Sequence, residues 1–101
     1  MDTAAHQRRR AGARDFHFFK HPEHWPLRPF LPVVRRPAEG GDNECGLMFD
    51  AVGTLGVHGY DCTVFLCNFF ELPETDAEFL ALPRYSYDTL DELADDGWTV
   101  D

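Results

Sequence analysis

Gly59-Tyr60-Asp61-Cys62-Thr63-Val64-Phe65-Leu66-Cys67-Asn68-Phe69-Phe70 is the stretch on which the fold turns. It is rich in β-branched and aromatic residues, the composition of a strand inside a sheet. Side chains alternate across a strand, so Thr63, Phe65, Cys67 and Phe69 fall on one face and Val64, Leu66 and Phe70 on the other. Both faces are apolar, which predicts a strand over 61–70 covered from both sides.

Working backwards, Cys45 to Val52 reads as a second strand (46–52), joined to the first through the glycine-rich 53–59 connection. An antiparallel hairpin is the natural reading. With Val52 opposite Tyr60, Leu47 faces Phe65, Met48 faces Val64 and Cys45 faces Cys67. Leu31 to Arg36 predicts a further strand, and Pro32 with two arginines suits it to a sheet edge.

Working forwards, Thr75-Asp76-Ala77-Glu78 is a capping-box pattern that opens a helix over 76–82, stopped by Pro83. Thr89 and Glu92 repeat the pattern for a helix over 90–96, which Gly97 ends. Trp98 to Val100 reads as a last strand. Asp95 and Asp96 are unfavourable at a helix C-terminus, so without a cation from elsewhere that end should be weak; the basic N-terminal part could supply one.

Residues 1–14 carry no large apolar side chain and read as a disordered basic tail. Residues 15–30 hold Phe16, Phe18, Phe19, Trp25, Leu27 and Phe30 among frequent prolines. Pro26, Pro29 and Pro32 recur at the polyproline II interval, so this part is expected to be an extended aromatic arm. It either lies on the domain or meets a partner.

The chain has 101 residues and a net charge of −9, suited to one domain with a modest core. Residues 1–36 hold eight Lys/Arg against three Asp/Glu, net +5, and the remainder holds one Arg against fifteen Asp/Glu, net −14. That acidic body disfavours nucleic acid as the main ligand, leaving only the basic arm for such a role. Three cysteines without paired spacing suggest reduced thiols and a cytoplasmic setting, and no apolar run is long enough to span a membrane.

No catalytic pattern stands out. His17, His21 and His24 with Cys45, Cys62 and Cys67 invite a metal reading. Pro22, however, disfavours helix at His21, and Cys62 and Cys67 fall on opposite strand faces, so no metal or cofactor is assigned. Cysteines in an apolar, acidic run read as core residues rather than nucleophiles. Asp50, His58 and Asp61 are the candidate ligand-binding residues, around a pocket near the 53–61 loop. Phe16, Phe18, Phe19, Trp25 and Phe30 are the candidate partner-binding residues.

The stretches 21–36, 59–70, 78–83 and 87–101 resemble a family of short uncharacterised bacterial proteins of planctomycete type. The resemblance covers most of residues 20–101 and implies no activity, so it transfers no functional residue. The reading is a basic tail followed by a single α+β domain over 15–101. A small antiparallel sheet of three to four strands carries two short C-terminal helices on one face and the aromatic arm on the other. For function it favours a non-enzymatic protein-interaction module with an unknown protein partner or self-association. A small ligand binder or enzyme, and nucleic-acid binding by the arm, are the alternatives.

Overall fold

The computed structural model describes residues 11–37 and 40–101. The expected disordered tail falls largely outside them, although Ala13 and Arg14 belong to the first helix, α1 (Ala13–Lys20). Five strands follow: β1 (Phe30–Arg35), β2 (Glu44–Phe49), β3 (Thr63–Phe65), β4 (Arg84–Ser86) and β5 (Trp98–Val100). They form one antiparallel sheet in the order β4-β3-β2-β1-β5. Three more helices, α2 (Ala51–Leu55), α3 (Asp76–Leu80) and α4 (Leu90–Asp95), complete an α+β fold.

β1 lies inside the sheet, between β2 and β5, not at the expected edge. Proline is tolerated there because Pro32 faces Asp101, where β5 has ended. Its carbonyl accepts the Asp101 N–H at 3.0 Å, and its missing donor falls beyond the ladder. Edge positions go instead to β4 and β5, three residues each. Of these, β4 (Arg84-Tyr85-Ser86) is too short and polar to announce itself in the sequence.

The two-sided demand of the central run is met, but by a different division of covers. Val64, Leu31, Val33 and Met48 point to one face, where they meet Phe19 and Trp25 from the N-terminal segment, Leu93 and Ala94 of α4, and Trp98. Phe65, Leu47 and Phe49 point to the other and pack on Ala51 and on Phe79 of α3. The two C-terminal helices therefore take opposite faces instead of sharing one. The aromatic segment is not an extended arm: it forms α1 and a 3-10 turn at Pro22–His24 beside α4.

The β2–β3 ladder contains the expected Leu47–Phe65 pair and stops there, leaving no Cys45–Cys67 pair within it. Leu66 donates its N–H to the Pro83 carbonyl in register with the β3–β4 pairs, but Pro83 has no N–H to return, so the ladder ends there; Asn68 then turns the chain by accepting from the Phe70 N–H at 2.9 Å. Residues 66–70, expected as strand, become a connection and a 3-10 turn at Phe69–Glu71. Similarly, Val52 does not face Tyr60. Asp50 caps the Gly53 N–H at 2.9 Å, α2 forms, and Gly56 ends it at φ 67°.

At the centre of the sheet, Gly46 permits a close approach. A β-carbon there would lie 2.3 Å from Val64 Cγ1 and 3.3 Å from the Trp98 ring. Without one, the fully buried Trp98 lies across the sheet.

Candidate functional site

Two of the three candidate ligand residues share a hollow. Asp50 and Asp61 line a cavity of about 370 Å³ together with Lys20, Trp25, Cys62 and Leu90; His58 is exposed and no part of its wall. Asp50 is buried and already engaged. One oxygen accepts from the Gly53 N–H, and the other accepts from Arg28 Nε at 3.1 Å and Nη2 at 3.0 Å. A carboxylate used this way serves as a cap and a tether for β1's approach. Cys62, on the same wall, has its thiol pushed up by burial and then by the charges of Asp61, Asp88 and Glu92. That suppresses the thiolate a nucleophile requires.

The aromatic candidates are spent mostly on the fold. Phe19 and Trp25 are buried, and the Trp25 indole N–H donates to the Phe18 carbonyl at 2.6 Å. Phe16 and Phe18 flank the same core, while Phe30 stacks on Phe49 in the other at 5.4 Å between ring centres.

Sequence reasoning placed Phe70 on the apolar face of a strand, yet it is 90% exposed. Once Asn68 turns the chain, Phe69 makes an edge contact with Phe30 and Phe70 points outward. Beside Phe70 runs a shallow groove of about 430 Å³ walled by Leu27, Pro32, Cys45, Cys67 and Phe69, with Asp101 its one charged residue among those described. Only the Asn68-Phe69 junction, an amide with N-cap chemistry before two aromatics, could have signalled this.

The structure also gathers His17, His21 and His24. The ring pairs lie 4.7, 5.0 and 5.5 Å apart between centres, and His17 Nε2 is 2.9 Å from His24 Nδ1. Glu23 joins them, its Oε2 3.0 Å from His21 Nδ1. Its carboxyl is held below the ordinary range by a backbone hydrogen bond and by His21. The gathering follows from local chemistry. His17 and His21 are one turn apart; α1 stops at Lys20; and Pro22, at the first position of the 3-10 turn, folds His24 back, with its N–H on the His21 carbonyl at 2.9 Å.

Among the described residues no helix is long and apolar enough to cross a membrane. Comparison with protein-family models, with curated proteins and with solved structures found no match.

Proposed function

We propose that the protein is a non-enzymatic interaction module whose contact is the Phe70 groove and whose occupant is a second copy of the chain. The observation that carries this reading is the 90% exposure of Phe70 beside an apolar groove. A projecting ring next to a depression makes a self-complementary surface, which a two-fold axis can use twice: each Phe70 enters the other copy's groove. Charge favours the same place. Two chains of net charge −9 repel overall, and among the described residues this groove has one charged residue in its wall. The engaged Asp50 and the raised thiols of Cys62 and Cys67 support a non-enzymatic role.

Sedimentation over a concentration series tests it. The expected result is a monomer–dimer equilibrium that added salt strengthens, by screening the like charges, and that Phe70→Ser shifts to monomer. A wild-type chain that stays monomeric throughout, or a dimer indifferent to Phe70→Ser, overturns it.

A further inference from the structure

The geometry points to a metal-binding site for a divalent transition-metal ion of the zinc class, formed by His21, Glu23 and His24 with His17 adjoining as the fourth ligand. Ligand atoms of His21, Glu23 and His24 all lie within 4.8 Å of one another. His17 Nε2 stands 2.9 Å from His24 Nδ1, so a third imidazole adjoins this group at His24. Zinc–nitrogen bonds of about 2.0–2.1 Å at tetrahedral angles put neighbouring ligand atoms about 3.4 Å apart. The His17–His24 and His21–Glu23 pairs, at 2.9 and 3.0 Å, are already inside that spacing, and His17 must turn inward to join as the fourth ligand.

The polar contacts described from these side chains to other side chains are with one another, His17 to His24 and His21 to Glu23. His17, Glu23 and His24 are exposed and His21 half-buried, and none belongs to either core. The three rings meet face to face with one hydrogen bond among them, His17 to His24; a bound cation converts that crowding into shared coordination. Lys20, the nearest basic side chain in sequence, is drawn over the Phe16 ring at 5.7 Å. Three nitrogens and one carboxylate select zinc, copper, nickel or cobalt over magnesium and calcium, which prefer all-oxygen sets. The ion ties the end of α1 to the Pro22–His24 turn, and so fixes the segment that supplies Phe19 and Trp25 to the core.

Calorimetric titration of the tag-free, chelator-treated full chain with Zn²⁺ tests the site, with Co²⁺ as a visible probe of tetrahedral geometry. The expected result is one equivalent bound at micromolar or tighter affinity, with no response to Mg²⁺ or Ca²⁺. His21→Ala and His24→Ala should each weaken binding by at least the roughly 10–100-fold that loss of an outer-sphere partner costs. Circular dichroism should show both variants folded, because neither ring is in the core. His6→Ala and His58→Ala should bind as the wild type does. Absence of one-to-one Zn²⁺ binding overturns the assignment. So does binding that survives His21→Ala and His24→Ala, or that depends on His6 or His58 instead.

Discussion

Asp15 in α1 and Val100 in β5 lie 85 positions apart in sequence and are joined by a hydrogen bond: the Val100 N–H donates to Asp15 Oδ1 at 3.0 Å. The other carboxylate oxygen accepts the Gly12 N–H at 2.9 Å, so one buried side chain caps its own helix and holds the edge of the sheet. Removing it leaves two backbone donors without that partner. Asp15→Ala should cost about 1.5–3 kcal/mol, the range for hydrogen bonds to charged groups, and Asp15→Asn less. Urea midpoints at constant m-value would measure the loss, and faster exchange of the Val100 amide would place it.

Arg35 is where the sheet meets the end of α4. Its Nε and Nη2 donate to Glu44 at 2.9 and 2.7 Å, and its Nη1 donates to Asp96 at 2.5 Å. The guanidinium packs against both Tyr85 and Trp98, 4.7 and 4.8 Å from their ring centres. Burial alone would lower its pKa, but the bonds to Glu44 and Tyr85 and the charge of Asp96 outweigh that and raise it. Arg35→Ala should destabilise by about 3 kcal/mol, the low end for breaking a buried pair, since both carboxylates remain partly solvated. Arg35→Lys should recover little, because an ammonium has neither the fork nor the flat faces. Thermal and urea melts of the two variants decide this.

Tyr87 should make stability fall in alkali. Burial, then its 2.5 Å hydrogen bond to Asp96, pushes its pKa from 10.0 up to about 12. The folded state therefore holds the phenolic proton more tightly than the unfolded chain. Its contribution is complete below pH 10 and is lost as pH rises toward about 12. Tyr87→Phe should flatten that slope and leave the Trp98 indole N–H, now donating to Tyr87 Oη at 3.0 Å, without this acceptor. Denaturation curves between pH 9 and 12 on both proteins, with ultraviolet titration of tyrosinate, give the comparison.

Alkylation should separate the cysteines. Cys45 is exposed, whereas Cys62 and Cys67 are partly buried with thiols pushed up by burial and then by neighbouring carboxylates. Cys67 also donates to the Asn68 carbonyl at 3.3 Å. Iodoacetamide at mildly alkaline pH should modify Cys45 first, read as mass shifts on peptides over time. Equal rates at all three would contradict the described environments.

What the sequence revealed was mostly what a single residue can enforce locally. The Thr75 and Thr89 side chains cap α3 and α4 through the Glu78 and Glu92 N–H groups, as their spacing implies, and Gly97 follows α4 at φ 99°. The Leu47–Phe65 pair is as expected, although the Val52–Tyr60 pairing from which that register was counted does not form. The expected cation for Asp96 is Arg35. Hidden were the places where a polar side chain overrules β-propensity: Asp50 starting α2 and Asn68 turning the chain before Phe70. The candidate site shared that fate. Asp50 and Asp61 do line one hollow, but Asp50's engagement by Arg28 depends on a partner 22 positions away. The histidine cluster was discounted because of Pro22, the residue whose turn assembles it.

The Asp15 bond also governs how copies of this chain can meet. On β5 the Val100 N–H, which another strand would need as a donor, is already occupied, and β4 offers three residues. Growth of the sheet by a sixth strand is thereby discouraged at one rim by a helix and at the other by brevity. The proposed pairing through Phe70 would then use the broad surface and not the rim, giving a bounded pair and no open fibril.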